Sequence, residues 1–358
     1  MSAYRRRTKS GEWRWHYRVM VRLPDGSKKR IAGTPSLNTK SAAVAAERAH
    51  VERVLNPKKP MQAAPAFDEF AKVFLRDYVA VHNKPSEAHE KGRVIRFYLQ
   101  PFFKSTPLDR IDAAAGEKLK AHLLKGEDLD PPRPREPKTV NNILTVLAKL
   151  LRYAQRLGQL RATPMIEKLR VNRPAVEFLD FDEYATLVET AKSEAHWHLA
   201  ILLAGDAGLR RGELRALRQA DWERRSGRVV VQRSVWKGKE GGTKGWRARA
   251  VPTTTRLAAA LQAQRHLRGD LFLCDADGDA FTEAAYRKAL PRLCLRAGIK
   301  SVGWHDLRHT FCSHLAMRGA PAKAIQELAG HADLTTTMRY MHLTPDSKDA
   351  AIRLLEAR

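Results

Sequence analysis

Acidic residues are few in this chain compared with basic ones. Its 358 residues include 65 Lys and Arg but only 39 Asp and Glu, so the formal net charge is +26. An excess of this size is more than solubility requires, and it indicates a polyanion partner, with DNA or RNA ahead of a membrane surface. A merely basic protein is the alternative that composition leaves open.

Cysteines and long apolar segments are also scarce. The three cysteines (Cys274, Cys294 and Cys312) are odd in number and widely spaced, which excludes a disulfide framework or a Cys-rich zinc site and fits a reducing compartment. No apolar run reaches the roughly 18 residues of a membrane span. The basic start MSAYRRRTKSGEW is not followed by the apolar core of a signal peptide. We therefore expect a cytoplasmic protein with no membrane partner.

Residues 1–60 are predicted to form a basic domain, with fifteen Lys and Arg against four acids. Apolar and polar residues alternate through 13–22, as in a half-buried strand. With strands predicted near 4–8 and 28–31 and a helix at 41–55, this region should be a three-stranded sheet with one packed helix. Its cationic face suits a DNA groove. The basic residues of the central strand are Arg14, Arg18 and Arg22.

Residues 65–170 are predicted to form a second domain that is entirely helical. An apolar stripe starts at Phe67, further helices are predicted at 86–99 and 112–124, and a strongly amphipathic helix is predicted at 139–157. Several of its basic side chains are candidates to line DNA, although for any one of them a solvated surface charge is the simpler interpretation. These candidates are Lys91, Arg93, Arg96 and Lys138.

Residues 175–358 are predicted to form a third domain of mixed α+β structure. A strand at 228–235 should pair with 248–252 across a lysine-bearing hairpin, and helices are predicted before and after it. The whole chain is thus predicted to be multidomain and mainly α, with small β-sheets. The amphipathic tail 346–358 packs either on a neighbouring subunit or on its own domain.

The chemistry-bearing residues concentrate in the third domain. His305 and Arg308 share one face of a predicted helix, and His331 and Tyr340 follow within the next 32 residues. Any one of these residues alone is more often a hydrogen-bonded core residue than a catalytic one. His305 and His309 also have the i, i+4 spacing of a helical metal pair, but Asp306 stands where a metalloprotease helix carries its glutamate. We therefore predict no metal.

Three motifs in this region carry a resemblance. In order, AGLRRGEL (207–214), HDLRH (305–309) and AGHADLTTTMRY (329–340) resemble the signature boxes of the tyrosine recombinases, the phage-integrase family. RAVP (249–252) sets the register of the family's hairpin lysine and points to Lys244, with Lys237 and Lys239 as alternatives. The resemblance implies six catalytic residues and one supporting acid: Arg210, Lys244, His305, Arg308, His331 and Tyr340, with Glu213 behind the first arginine.

The residue types suit phosphodiester chemistry. A phenol has a pKa of about 10, so ionising it near pH 7 costs roughly 4 kcal/mol unless the site helps. Arg210 and Arg308 can grip the non-bridging oxygens with paired donors, which a lysine cannot do. His331 would add a donor, His305 could take the phenol proton, and Lys244 could protonate the departing 5′-oxygen. This chemistry requires no metal or other cofactor.

The resemblance implies a site-specific recombinase of the phage or genomic-island integrase type, acting through a 3′-phosphotyrosyl intermediate. It also implies a basic arm-type domain, a SAM-like core-binding domain and a catalytic domain. Double-stranded DNA with core and arm sites is the implied partner, bound by a homotetramer that is a monomer when free, with possible DNA-bending accessory proteins. The place of action would be the nucleoid in the bacterial cytoplasm. A type IB topoisomerase and a non-catalytic DNA-binding regulator of the same fold are the alternatives.

Overall fold

The computed structural model describes residues 2–8, 11–23, 26–55, 63–126, 133–172, 176–242 and 248–343. These divide into two units, Met1–Val171 and Asn172–Arg358, each with its own hydrophobic clusters. The predicted further boundary between 1–60 and 65–170 falls inside the first unit and stays a prediction.

The predicted three-stranded sheet with one helix is confirmed. Strands β1 (Ala3–Arg7), β2 (Trp13–Arg22) and β3 (Lys28–Gly33) pair antiparallel in that order, and α1 (Lys40–Leu55) packs on one face. Because side chains alternate along a strand, Tyr17 and Val21 of β2 are buried with Ile31 of β3. The opposite face of β2 presents the exposed basic residues Arg14, Arg18 and Arg22.

The rest of the first unit is helical, as predicted. Its elements are α2 (Phe67–Val73), a π-helical turn (Phe74–Val79), α3 (Ala80–His82), α4 (Pro85–Val94), a second π-helical turn (Ile95–Leu99), α5 (Gln100–Phe103), a 3₁₀ turn (Leu108–Arg110), α6 (Ala113–Lys125) and α7 (Pro137–Arg156). The amphipathic face of α7 contributes Val140, Leu147 and Leu150 to a single apolar cluster with α2 and α6. Asp112 caps α6, and Gly126 ends it in the left-handed conformation with φ 73°.

The second unit surrounds one helix whose second half is entirely apolar. Its helices are α8 (Phe181–Ala191), α9 (Ala195–Gly205), α10 (Arg211–Leu214), α11 (Thr255–Ala263), α12 (Glu283–Arg296), α13 (Trp304–Met317), α14 (Ala322–Ala329) and α15 (Leu334–Met338), with 3₁₀ turns at Gln219–Asp221 and Met341–Leu343. The second half of α9, from Leu199 to Gly205, is fully buried among the other helices. Because this half of the helix is buried all round, it fixes the position of the segment that follows, which carries Arg210.

Two small sheets correct the prediction of one long strand at 228–235. The chain forms β4 (Trp222–Glu223), β5 (Arg228–Val231), β6 (Arg233–Trp236), β7 (Lys239–Gly242) and β8 (Arg249–Pro252), in sheets ordered β4-β5-β8 and β6-β7. The predicted strand is broken at Gln232. There the side chains of Gln232 and Arg233 both donate to the buried carboxylate of Asp221, at 2.9 and 2.5 Å, and the chain leaves one sheet for the other.

None of the helices in the described ranges is long and apolar enough to cross a membrane. Within the same ranges, no three His, Cys, Asp or Glu side chains are grouped so that they could hold a metal ion.

Candidate active site

Arg210 is held from two sides at the start of α10. Its Nη1 donates to Glu213 Oε1 at 2.9 Å, and its Nη2 donates to the carbonyl oxygen of Gly330 at 3.0 Å. Gly330 ends α14 with φ 65°, and a Cβ there would stand 3.0 Å from Cδ of Arg249. A side chain at this position would be strained and crowded, so glycine allows the carbonyl to reach the guanidinium.

Arg308 is held in the same way by a second glycine. Its side chain is buried in α13, and Nη1 donates to the carbonyl oxygen of Gly208 at 2.5 Å. Gly208 has φ 65°, and a Cβ there would lie 2.6 Å from the ring of Phe311. Among the described residues Nη2 of Arg308 has no partner, which leaves a buried donor ready for an external acceptor.

The two arginines lie within electrostatic range of each other. Burial lowers the pKa of Arg308 to about 10, and the positive charge of Arg210 acts in the same direction. Two like charges brought together in this way favour an anion between them. A phosphate would relieve both the repulsion and the missing hydrogen bond at Nη2 of Arg308.

The carboxylate of Glu213 binds the guanidinium groups of both Arg210 and Arg249. Its carboxylate accepts from Arg210 and also from both Nη atoms of Arg249, at 3.1 and 2.7 Å, while Arg249 Nε donates to the carbonyl oxygen of Leu328. Burial raises the pKa of this carboxyl, but the hydrogen bonds and charge of Arg249 and the charge of Arg210 outweigh it and lower the pKa to about 2. Arg249 therefore links β8, α10 and the end of α14.

This carboxylate makes stability depend on pH. Because the pKa of Glu213 falls from 4.5 to about 2 on folding, its contribution is present above pH 4.5 and is lost as pH falls towards 2. The shift corresponds to about 3 kcal/mol at most. We expect Glu213→Gln to lower the free energy of unfolding at about pH 7 by an amount of this order, and by roughly half as much at about pH 3. Urea denaturation at both pH values measures this difference.

Glu283→Gln is the control, because it removes a half-exposed carboxylate paired with Arg215. An equal pH dependence in both variants would contradict the assignment to Glu213.

Tyr340 packs against α13, and its hydroxyl is within hydrogen-bond distance of a side chain of that helix. The side chain is 2% exposed, and its Oη is 2.5 Å from Nδ1 of His309. The Tyr340 ring stacks on the ring of His331, with the planes 5° apart and the centroids separated by 6.1 Å. Burial raises the pKa of Tyr340 above its usual 10.0, and the charge of Arg308 lowers it. The phenol is therefore protonated and needs help to ionise.

His331 stands between the tyrosine and the arginines. Its Nδ1 is 2.9 Å from Oγ1 of the buried Thr337. Burial lowers the pKa of His331 to about 3, and the charges of Arg308 and Arg210 act in the same direction. A neutral ring with one nitrogen already engaged by Thr337 leaves its other nitrogen for a substrate oxygen.

The structure thus brings Arg210, Glu213, Arg308, His331 and Tyr340 together. His305 is exposed on α13, and its ring lies edge-on to that of His309 with centroids 4.5 Å apart. Lys244 lies outside the described residues, as does the tail 346–358. The alternative lysines, Lys237 and Lys239, lie on the exposed β6–β7 hairpin.

Sequence reasoning misses two residues of the site. It treats His309 only as part of a metal pair, and Arg249 only as a marker of register. Both signals are in the sequence, since His309 directly follows Arg308 and Arg249 opens the RAVP strand. Nothing local, however, indicates which distant group either side chain meets.

The predicted DNA-lining residues of the first unit differ in their surroundings. Arg96 and Lys138 are exposed. Arg93 is exposed but paired with Glu90 at 2.7 Å. Lys91 is largely buried, and its Nζ bonds Asn83 Oδ1 at 2.5 Å. Lys91 is therefore the least suited of the four to reach a phosphate.

The Phage integrase family model matches residues 177–347. The chain is similar to a tyrosine recombinase XerC of Pelobacter propionicus, 31% identical over 57% of this chain and 68% of that protein. It is also similar to the integrase of Escherichia phage 186, 28% identical over 69% of this chain and 70% of that protein.

Two solved structures share the fold. The Tn1549 transposon integrase in complex with a circular intermediate DNA has a TM-score of 0.68 at 20% identity, over 82% of this chain and 100% of that one. A lambda integrase tetramer bound to a Holliday junction has a TM-score of 0.60 at 18% identity, over 93% of this chain and 96% of that one. At these identities the likeness concerns the fold alone.

Proposed function

Because this chain belongs to the phage integrase family of tyrosine recombinases, which are DNA strand transferases, we propose that Tyr340 is its nucleophile. The phenol oxygen attacks a DNA phosphorus, a 3′-phosphotyrosyl link forms, and the free 5′-hydroxyl leaves. A second 5′-hydroxyl then attacks the link and reseals the strand. The phosphodiester energy is kept in the covalent intermediate, so no nucleotide cofactor is required.

The observation that carries this proposal is the pair of glycine-anchored arginines beside the buried tyrosine. Arg210 and Arg308 would each bind non-bridging oxygens of the scissile phosphate, and His331 would donate a further hydrogen bond. Glu213 and Arg249 would support Arg210 without touching the substrate. Donors held in place before the reaction stabilise the charge that develops in the transition state, because they need not reorganise.

A covalent trap tests the proposal. Nicked DNA duplexes of random sequence would be selected by covalent capture on the full-length protein, because a nick releases the 5′ fragment and prevents resealing. We expect a protein–DNA adduct that survives denaturation, with the DNA attached to Tyr340 in peptide mapping. Attachment to another residue, or no adduct from any library, would contradict the proposal.

We propose Lys244 as the general acid that protonates the leaving 5′-oxygen. Lys244→Ala should then slow cleavage about 100-fold, whereas Lys237→Ala and Lys239→Ala should have little effect. A substrate with sulfur in the 5′-bridging position should restore the rate of Lys244→Ala, since a thiolate leaves without a proton. Quenched-flow cleavage of the two substrates measures both effects. A larger loss in either control variant would move the assignment to that lysine.

We propose that the exposed face of β2 binds DNA as an arm-type domain within residues 1–60. The charge is concentrated there, and Arg14, Arg18 and Arg22 point away from α1. Replacing all three by glutamine should lower the slope of log affinity against log salt by up to about 3, one for each phosphate that is no longer neutralised. A triple glutamine variant of Lys40, Arg48 and Arg53 on α1, with the same change of charge, is the control. Equal slopes in the two variants, measured by fluorescence anisotropy, would contradict the assignment.

We propose that residues 65–170 and 175–358 act as the core-binding and catalytic domains on double-stranded DNA. Strand exchange between two duplexes requires four cleavages, so a homotetramer on DNA is the working assembly, and the lambda integrase neighbour was solved as a tetramer on a Holliday junction. We also propose that the free protein is a monomer, and that DNA-bending proteins assist at arm sites.

A further inference from the structure

The hydroxyl of Tyr340 meets a residue with no role in the proposed mechanism so far. Nδ1 of His309 lies 2.5 Å from Oη, at the part-buried junction between α13 and the C-terminal segment. We propose that His309 is the catalytic residue that takes the proton of the Tyr340 phenol. The inference rests on the proposed function, because it assigns a role within the cleavage reaction.

The surroundings of His309 keep the ring neutral. Burial lowers its pKa to about 4, and positive charge on His305, Arg339 or Arg308 acts in the same direction, while Asp306 opposes it. A neutral ring protonated at Nε2 has a lone pair on Nδ1, which can accept from the phenol. The hydrogen bond seen in the structure is therefore the starting point of a proton transfer.

The other groups near the phenol are less suited to this role. Burial raises the pKa of the Cys312 thiol to about 11, so at neutral pH it is protonated and cannot act as a base. Nδ1 of His331 is already hydrogen-bonded to Thr337, and its ring is parallel to the Tyr340 ring with the centroids 6.1 Å apart. Of these three side chains, His309 is the one that places a basic nitrogen at Oη.

The reaction balances with His309 in this position. As the bond from Oη to phosphorus forms, the phenol proton passes to Nδ1 of His309, and the bond from phosphorus to the 5′-oxygen breaks. The leaving oxygen receives its proton from the proposed acid, Lys244. On resealing, the attacking 5′-hydroxyl gives its proton to the now neutral Lys244 as its oxygen bonds to phosphorus, and the imidazolium of His309 returns its proton to the departing phenol oxygen. An anionic phosphate between the arginines favours the positive charge that His309 carries in between.

The proposal separates the roles of two neighbouring histidines. His305, which the residue chemistry favoured as the proton acceptor, is exposed on the first turn of α13. His309 lies one turn further along the same helix, where it meets the tyrosine. Their rings are in edge contact, so removing either one could disturb the other, and a test must distinguish loss of a base from loss of packing.

Changing the acidity of the phenol distinguishes loss of a base from loss of packing. We would prepare the full-length protein with tyrosine or a more acidic fluorinated tyrosine at position 340, combined with His309→Ala or His305→Ala. Cleavage of the nicked duplex selected above gives the rate of each variant. With tyrosine, His309→Ala should slow cleavage about 100-fold. With the fluorinated tyrosine, which loses its proton more readily, the same substitution should cost less than about tenfold. The effect of His305→Ala should be equal with both phenols.

Two results would overturn the inference. One is an effect of His309→Ala that does not change with the acidity of the phenol. The other is a loss of cleavage rate in His305→Ala that becomes smaller with the fluorinated tyrosine. That result would assign the role of proton acceptor to His305. His309→Gln keeps a hydrogen-bond acceptor without a basic nitrogen, so it should be as slow as His309→Ala. Recovery of the rate in this variant would show that the contact only positions the phenol.

Failure of this inference can be distinguished from failure of the proposed function. Absence of any adduct at Tyr340 in the wild-type protein would contradict the function itself. A wild-type adduct that forms equally fast in His309→Gln would contradict only the role of His309. Thermal melting and DNA binding of each variant show that it is folded, and His309→Gln carries the test if His309→Ala does not fold.

Discussion

Replacing Tyr340 by phenylalanine will abolish covalent protein–DNA adducts while leaving DNA binding intact. The substitution removes the one oxygen atom that is proposed to attack phosphorus. Loss of a nucleophile in a preorganised site lowers the rate by at least about 10⁴-fold. The stability cost should be small, about 1 kcal/mol for the hydrogen bond to His309. Denaturing gels of the nicked-duplex reaction and an anisotropy titration measure the two effects.

Tyr286→Phe is the matched control for this experiment. Tyr286 is also a fully buried tyrosine of the second unit, and its hydroxyl has no hydrogen-bond partner in the part of the chain that the structure describes. Removing that oxygen should leave adduct formation unchanged and cost no stability. An adduct that still forms with Tyr340→Phe would remove Tyr340 from its role.

Replacing Arg308 by lysine should give the second largest effect, a loss of about 10³-fold in cleavage rate. One arm of this guanidinium is used to bind the carbonyl oxygen of Gly208, and the other has no partner among the described residues. A guanidinium can serve both acceptors because its donors diverge in a fixed plane, whereas an ammonium is a single point of charge. The lysine of Arg308→Lys can therefore bind either the carbonyl oxygen of Gly208 or the phosphate, but not both.

Arg215→Lys provides the comparison for Arg308→Lys. Arg215 is likewise a buried arginine of the second unit, but it pairs with Glu283 at 2.9 Å and has no part in the proposed chemistry. Both substitutions should lower the melting temperature, and only Arg308→Lys should lower the cleavage rate of the folded protein. If the two variants lost activity equally, the effect of Arg308 would be structural, and its contact with phosphate would have to be abandoned.

The anchoring of both arginines on glycine carbonyls explains why the motifs contain glycine where they do. Gly208 and Gly330 both have φ 65°; a Cβ at Gly208 would overlap the ring of Phe311 at 2.6 Å, and a Cβ at Gly330 would be crowded against Arg249 at 3.0 Å. Each carbonyl fixes one guanidinium before any substrate is present. A preformed pair of this kind loses little freedom on binding a phosphate, which is the condition for effective charge stabilisation.

Helices and their boundaries were largely predictable from local patterns. The stripe of α7 and the continuous apolar run of α9 follow from the 3.6-residue period and from residue type, which need no knowledge of the partner. The single strand predicted at 228–235 was wrong for the opposite reason. A strand is defined by its neighbour, and at Gln232, where the chain changes sheets, the side chain donates to the buried carboxylate of Asp221.

From the sequence by itself, the order and spacing of three motifs determined the family, the expected nucleophile and the two arginines. The excess of basic charge indicated a polyanion partner, because charge depends on composition and not on folding. Only the tertiary structure decided which carbonyls hold the arginines, since those contacts join residues 120 and 100 positions apart. It also decided that Tyr340 meets His309, 31 positions away. Such contacts depend on how the helices and loops pack against one another, and no local period in the chain records that packing.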